Sequence, residues 1–218
     1  MNPVLQVEHL SISFTQYDRG TRRRRLPVIR DLSFSVQPGQ VVAVVGASGS
    51  GKSLLAHGIL GILPYNSAME GTILYRGEPL TRKRLETLRG REIALIPQGV
   101  TYLDPRMEVG AQLRKGRSDL SAREKSRNVL ARYGLGPEVE RLYPFELSGG
   151  MARRVLIATA VMEQPGLILA DEPTPGLDAR AAGRILGHIR ERAEEGTGVL
   201  FITHDLELAL TIAHRVLV

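Results

Sequence analysis

The sequence predicts an α/β fold in which a parallel core sheet carries an N-terminal antiparallel β subdomain and an inserted helical subdomain. Three observations support this fold class. Short unbroken apolar runs, typical of parallel strands covered on both faces, alternate with helical patterns. Shorter alternating runs separated by turn residues lie near the N-terminus. The segment from about 99 to 149 is rich in polar residues and contains no continuous apolar strand.

The individual elements follow from these patterns. We expect antiparallel strands at Val4–Val7, Leu10–Phe14, Leu32–Val36 and Thr72–Arg76. We expect parallel strands at Val41–Val45, Ile93–Ile96, Leu167–Ala170 and Val199–Thr203. Helical periodicity predicts helices at Lys52–Leu60, Ala122–Tyr133, Met151–Met162 and Ala179–Glu194. The expected organisation is one domain over residues 1–218, with a core at about 1–98 and 154–218 and a helical subdomain at about 99–153. The last residues, Arg215–Val218, resemble the start of a strand, so we expect further chain beyond them.

The composition is that of an ordinary globular protein, with 43% hydrophobic and 24% charged residues. No stretch approaches the roughly eighteen consecutive apolar residues of a membrane span, so the chain is not expected to cross a membrane itself. The start at Met1–Val4 lacks a secretory signal, and there is no cysteine, which excludes disulfides and thiolate metal sites. We expect a cytoplasmic protein.

The net charge of +6 permits acidic partners, but its distribution does not favour them. Of the 29 basic residues, 25 are Arg and 4 are Lys, and they are spread along the chain. The one dense cluster, Arg22–Arg25, lies beside Gly20 and Thr21 and predicts an exposed loop between two strands. A dedicated phosphate or headgroup patch is the alternative interpretation.

The clearest chemical motif is a glycine-rich segment between a predicted strand and a predicted helix. Its residues are Gly46, Ala47, Ser48, Gly49, Ser50, Gly51, Lys52 and Ser53. They match the Gly-x4-Gly-Lys-Ser/Thr pattern of a phosphate-binding loop, the P-loop. Glycines let backbone N–H groups point at phosphate oxygens, Lys52 supplies a compact charge to the β and γ phosphates, and the Ser53 hydroxyl ligates magnesium. The sequence therefore predicts that the chain binds ATP and Mg²⁺.

A pair of carboxylates follows another predicted parallel strand. Asp171 and Glu172 come directly after Leu167–Ala170. Asp171 is suited to the magnesium shell, and Glu172 to orienting and polarising an attacking water. The alternative is a carboxylate pair that caps the next turn, which Pro173 and Gly176 would support. Taken alone, the carboxylates do not decide between the two interpretations. Combined with the P-loop, they favour the functional one, because open α/β sheets place their sites at the carboxyl ends of strands.

The segment Leu147–Met151 reads Leu-Ser-Gly-Gly-Met and stands before a predicted helix. It resembles the signature Leu-Ser-Gly-Gly-Gln of the ATP-binding cassette (ABC) ATPases. The order of elements carries the resemblance: the P-loop, then Gln98 after Ile96-Pro97, the signature, Asp171-Glu172, and His204 after an apolar strand. The resemblance covers essentially the whole chain and implies an ABC ATPase domain with a RecA-like P-loop NTPase core.

The resemblance also implies roles for individual residues. Gln98 corresponds to the Q-loop glutamine, which contacts magnesium and the attacking water and links the site to a transmembrane partner. His204 corresponds to the switch histidine that contacts the γ phosphate. Ser148, Gly149 and Gly150 would form an anion site for nucleotide, and Asp178 would communicate between subunits. Phe14, or less favourably Tyr17, would stack on adenine, although an aromatic in an early strand is more often part of the core.

Two departures from the family pattern are visible. Met151 replaces the signature glutamine, and Pro175 replaces the usual small hydroxyl residue of the D-loop, which removes a backbone donor. The segment Tyr143–Met151 is similar to the oligopeptide and nickel importer branch, as are Gly58–Pro64 and Asp104-Pro105. This branch is therefore the expected one.

The resemblance implies that two chains pair head to tail, so that ATP lies between one P-loop and the partner's signature. The expected function is the ATP-hydrolysing subunit of an importer for peptides, nickel or a related metal complex. Its expected partners are a second ABC ATPase subunit, identical or different, transmembrane permease subunits and, indirectly, a solute-binding protein. It would lie peripherally at the cytoplasmic face of the inner membrane, without nucleic acid. The alternatives are an ABC-type ATPase of a metabolic assembly such as phosphonate degradation, or a DNA-associated ABC scaffold.

Overall fold

The computed structural model describes residues 2–17, 23–47 and 49–218, without the side chains of Tyr17 and Arg23. Within these ranges the strands are β1 (Leu5–Tyr17), β2 (Arg23–Val36), β3 (Val41–Val45), β4 (Ser67–Tyr75), β5 (Glu78–Pro79), β6 (Ile93–Ile96), β7 (Leu167–Asp171), β8 (Gly198–Thr203) and β9 (Arg215–Leu217). The α-helices are α1 (Lys52–Ile59), α2 (Arg82–Leu88), α3 (Val109–Leu113), α4 (Leu120–Arg132), α5 (Gly149–Val161), α6 (Ala179–Glu194) and α7 (Leu206–Ile212). Two short 3₁₀ helices span Pro137–Arg141 and Pro144–Glu146.

The core is a five-stranded parallel sheet with the order β6-β7-β8-β3-β9. Every residue of β7 and β8 is buried, as expected for strands covered on both faces. Alternate residues of β3 enter two different core clusters, Val41 and Ala43 on one face and Val42 on the other. This two-faced burial is why the strands contain unbroken apolar runs, and it confirms the predicted α/β class.

A second, antiparallel sheet has the order β2-β1-β4-β5. The two N-terminal strands that the sequence predicted are one continuous strand, β1, of 13 residues. Its register shifts between Val7 and Leu10, where His9 adopts a left-handed conformation with φ of 49°. The irregularity at His9 interrupts the side-chain alternation, which is why the sequence pattern resembles a strand break.

The basic cluster is not a loop over the residues that the structure describes. Arg23, Arg24 and Arg25 form the beginning of β2 and pair with Tyr17, Gln16 and Thr15 of β1. The prediction of a loop is wrong for these three residues because ladder hydrogen bonds to the preceding strand, β1, hold them extended. Arg24 and Arg25 remain exposed, and Arg25 pairs with Glu70 at 3.0 Å. Arg22 lies outside the described residues.

The chain between β6 and β7 contains α3, α4, both 3₁₀ helices and α5, in agreement with the expected helical insertion. Its predicted limits of 99 and 153 remain a prediction. A buried carboxylate, Glu140, accepts hydrogen bonds from Arg114 Nη1 at 2.6 Å, Ser126 Oγ at 2.7 Å and Arg127 Nε at 3.2 Å. These bonds join α3, α4 and the first 3₁₀ helix around one fully paired charge.

In the part of the chain that the structure describes, no helix is both long enough and apolar enough to cross a membrane.

Candidate active site

The phosphate-binding loop connects β3 to α1, as the sequence predicted. Gly49 and Gly51 have φ angles of 79° and 94°, a region that side chains rarely adopt. A Cβ atom on Gly51 would lie 2.3 Å from Cγ1 of Val28, in β2 of the other sheet. Glycine at 51 is therefore required both by its backbone conformation and by the neighbouring strand. Ser48 lies outside the described residues.

Lys52 begins α1, and its ammonium group reaches back over the loop. Nζ donates to the carbonyl oxygens of Gly46 at 2.6 Å and Ala47 at 2.8 Å, and it lies 3.5 Å from Oγ of Ser50. These contacts hold a compact positive charge beside the loop. The lysine is thus placed to share its donors with phosphate oxygens.

The loop forms one wall of a cavity of about 290 Å³. The described residues lining it are Gly49, Gly51, Lys52, Ser53, Leu54, Gln98, Asp171 and Glu172. They come from the ends of β3, β6 and β7 and from α1, and the carboxyl ends of these parallel strands lie at one edge of the sheet. The structure therefore brings Gln98 and both carboxylates to the P-loop.

Asp171 is 3% exposed, and its Oδ1 has no hydrogen-bond partner among the described residues. Burial raises the pKa of this carboxyl, and so does the charge of Glu172, whereas the Ser53 hydroxyl and the charges of His57 and Lys52 lower it. A buried carboxylate oxygen without a partner is a suitable ligand for a cation. Within the described ranges, no group of three or more His, Asp or Glu side chains is arranged so that it could hold a metal ion. A Mg²⁺ ion would therefore fit here if nucleotide and water supplied most of its ligands.

Glu172 is buried, and its position depends on the end of β8. Its N–H donates to the carbonyl oxygen of Ile202 at 3.0 Å, and its backbone has the unusual φ of 48°. Oε1 lies 2.7 Å from Nδ1 of His204, and Thr203 Oγ1 donates to Oε2 at 3.5 Å. The His204 side chain is 58% exposed. His204 thus contacts the buried carboxylate from the solvent side, which places the predicted switch histidine beside the predicted base.

The signature residues lie apart from this cavity. Ser148 is the N-cap of α5, and its Oγ accepts a hydrogen bond from the N–H of Met151 at 3.3 Å. A Cβ on Gly149 would meet no atom of the described chain within 4 Å, and one on Gly150 would come only to 3.8 Å from Leu177. Packing within the described chain therefore does not require glycine at either position.

Two further predicted residues have structural partners within the fold. Asp178 is the N-cap of α6, where Oδ1 accepts a hydrogen bond from the N–H of Ala181 at 2.8 Å. Phe14 pairs with Leu26 of β2 and packs, half-buried, against a core cluster. It is absent from the described lining of the cavity, and the Tyr17 side chain lies outside the described residues. The proposed roles of Asp178 and Phe14 toward nucleotide remain predictions.

Sequence reasoning missed two residues that contact the site's backbone. Val28 packs on Gly51, and Arg153 of α5 donates from Nη1 to the carbonyl oxygen of Pro97 at 2.8 Å. Val28 carries no local signal. The sequence does carry a signal for Arg153, which is a charged residue among the apolar residues of α5. Its neighbours Ala152 and Val155 are buried with it.

A phosphate-binding loop between β3 and α1, facing paired carboxylates at the end of β7, defines a P-loop NTPase. Comparison with known families narrows this class, because the family described as ABC transporter matches residues 29–175. The chain belongs to this family, and it is an ATPase of the ATP-binding cassette type.

Individual relatives agree with this assignment. The dipeptide transport ATP-binding protein DppD of Bacillus subtilis is 37% identical over 233 residues, which cover 100% of this chain and 68% of the relative. The oligopeptide transport ATP-binding protein OppD of Salmonella typhimurium is 36% identical over 231 residues, covering 100% of this chain and 67% of the relative. This chain thus spans about two thirds of the length of each. A solved structure of the ATP-binding subunit of an ABC transporter superimposes with a TM-score of 0.79 at 28% identity, covering 96% of this chain and 83% of that chain.

Proposed function

We propose that this chain is the ATP-hydrolysing subunit of an importer that takes up peptides. The proposed ATPase activity rests on one observation: the P-loop, Gln98, Asp171 and Glu172 line the same cavity. The peptide part rests on the two relatives, which are named for dipeptide and oligopeptide transport. The nickel or metal-complex alternative has no support from these two names.

In the proposed reaction, the loop N–H groups and Lys52 bind the phosphates of ATP. Ser53 and Asp171, with Gln98, would hold Mg²⁺, which neutralises charge on the phosphates when bound. The Glu172 carboxylate would orient the attacking water and accept its proton as the general base. His204, already hydrogen-bonded to Glu172, would contact the γ phosphate. Phe14 is proposed to stack on adenine.

A second ABC ATPase subunit, identical or different, is the proposed partner in nucleotide binding. Ser148, Gly149 and Gly150 lie outside the described lining of the cavity, and no packing in the described chain requires the two glycines. Their backbone donors at the start of α5 are suited to an anion. We infer that they bind the nucleotide held by the second subunit's P-loop, with Asp178 near the junction.

The chain is further proposed to lie peripherally at the cytoplasmic face of the inner membrane, bound to permease subunits and served indirectly by a solute-binding protein. Val100 and Tyr102, just after Gln98, are exposed hydrophobic side chains at 39% and 55%. Such side chains suit a contact with another subunit. No nucleic acid partner is proposed.

Replacing Glu172 with Gln tests the proposed base. We expect ATP turnover to fall by about 10²-fold or more, the usual contribution of a general base, while ATP affinity is retained. Glu86→Gln, at an exposed position on α2, is the matched control and should leave turnover unchanged. Wild-type turnover in Glu172→Gln would refute the assignment.

Copurification from the native membrane tests the transport proposal. Recovery of permease subunits with the chain would support import, whereas recovery of a soluble lyase assembly would support the metabolic alternative. Salt-dependent binding to DNA would instead support the scaffold alternative.

A further inference from the structure

A buried arginine connects the signature helix to the segment that carries Gln98. Arg153 lies on α5 and is 7% exposed. Its Nη1 donates to the carbonyl oxygen of Pro97 at 2.8 Å, and Pro97 immediately precedes Gln98. Arginine is almost never fully buried unless it is paired. The burial of this side chain therefore indicates that its hydrogen bond and charge are used within the fold.

The charge of Arg153 is compensated by the site itself. Burial lowers the pKa of its guanidinium, whereas the charges of Asp171 and Glu172 raise it. Among the described residues, no ion pair within 4.0 Å joins Arg153 to either carboxylate. The guanidinium thus acts on them at a distance while its hydrogen bond goes to the backbone.

The hydrogen bond to Pro97 restricts the backbone of Gln98 directly. The carbonyl of Pro97 and the N–H of Gln98 belong to one planar peptide unit. Proline also has a fixed φ, so the orientation of this peptide plane depends mainly on a single torsion. A donor from α5 that binds the carbonyl oxygen removes that remaining freedom.

We propose that Arg153 is a positioning residue that ties the Pro97–Gln98 peptide to the signature helix, so that a displacement of α5 is transmitted to Gln98. The inference rests on the proposed role of Gln98 in ATP hydrolysis. It predicts that losing the hydrogen bond between Arg153 and Pro97 slows the chemical step more than it weakens nucleotide binding. The reason is that Arg153 is not among the described residues that line the cavity with the P-loop.

Three variants of the chain test this role, with turnover measured in the presence of the second ATPase subunit. Arg153→Met removes the hydrogen bond and the charge, and Arg153→Lys keeps a cationic donor. Arg84→Met is the matched control, because Arg84 also donates to backbone carbonyl oxygens, those of Tyr75 at 3.2 Å and Glu78 at 2.6 Å, in the antiparallel sheet. The readouts are kcat and KM for ATP, ATP affinity by equilibrium binding, and the ¹⁵N order parameter of the Gln98 backbone amide without nucleotide.

For Arg153→Met we expect kcat to fall about tenfold, equivalent to ~1.4 kcal/mol, with ATP affinity within about twofold of wild type. The ¹⁵N order parameter of the Gln98 amide should fall from the roughly 0.85 of a rigid backbone toward about 0.6, because the hydrogen bond that fixes the Pro97–Gln98 peptide is lost. Arg153→Lys should restore most of kcat and of this order parameter. Arg84→Met should change none of these readouts.

The proposal is overturned if Arg153→Met leaves kcat and the Gln98 order parameter unchanged. It is equally overturned if ATP affinity falls in parallel with kcat, or if Arg84→Met has the same effects. Failure of the proposed function would look different, because Glu172→Gln would then turn over ATP at the wild-type rate. In that case the Gln98 order parameter, measured without nucleotide, still decides whether Arg153 fixes this backbone.

Discussion

Replacing Gly51 with Ala tests how closely the phosphate-binding loop is packed against the antiparallel sheet. Gly51 is the N-cap of α1 with φ of 94°, and an added Cβ would lie 2.3 Å from Cγ1 of Val28. Gly49 offers a matched comparison on the same loop. It has φ of 79°, but a Cβ there would meet no atom of the described chain within 4 Å.

The expected loss has two parts. An alanine at positive φ costs on the order of 1–2 kcal/mol at either position. At Gly51 the added methyl must also displace Val28, and overpacking of this kind costs about 1–3 kcal/mol. We therefore expect Gly51→Ala to lower the free energy of unfolding by about 2–5 kcal/mol, and Gly49→Ala by only about 1–2 kcal/mol.

Urea denaturation without nucleotide measures both values. A double variant separates the two parts, because truncating Val28 to Ala leaves its Cβ 3.8 Å from the added methyl, an ordinary van der Waals distance. Relative to Val28→Ala alone, the Gly51→Ala substitution should then cost no more than Gly49→Ala. The reasoning is refuted if Gly51→Ala costs no more than Gly49→Ala in the wild-type background. It is also refuted if Val28→Ala recovers nothing.

Two further predictions concern a buried histidine and the signature serine. Burial, followed by the charge of Arg132, lowers the pKa of His188 to about 4, below the roughly 6.5 of an unfolded histidine. The unfolded chain therefore binds more protons between these values, and stability is lost as the pH falls from about 6.5 to 4. Over this pH range, the free energy of unfolding measured in urea should fall by about 2 kcal/mol more in wild type than in His188→Gln. The same pH dependence in both proteins would contradict the lowered pKa of His188. Ser148→Ala and Asp119→Ala each remove an N-cap, of α5 and α4, and should each cost about 1 kcal/mol of stability. Only Ser148→Ala should lower ATP turnover, by about tenfold or more. Equal turnover in the two variants would mean that Ser148 acts only as a helix cap.

The candidate site was largely predictable because its chemistry uses contiguous or strand-terminal residues. A phosphate cradle is built from successive backbone N–H groups, so the P-loop is visible as a motif. Asp171 and Glu172 follow an apolar strand, and Gln98 follows another. Parallel strands end at one edge of the sheet, and the structure brings these residues around one cavity there.

The antiparallel region was less predictable because strand pairing can outweigh the conformational preference of individual residues. Arg23–Arg25 have the composition of a loop but lie in β2, where they pair with the end of the preceding strand, β1. The predicted break near His9 is a register shift inside one strand. The short elements β5 and α2, of 2 and 7 residues, contain too few residues for a periodic pattern.

By itself, the sequence determined the fold class, the order of the core strands along the chain, and the residue types of the nucleotide site. Only the tertiary structure decided which distant side chains act on that site. Val28 contacts Gly51, Arg153 binds the carbonyl of Pro97, and His204 binds Glu172. Each contact joins segments far apart in sequence, and its energy depends on ångström-scale distances that packing alone sets. Local patterns carry no record of such distances.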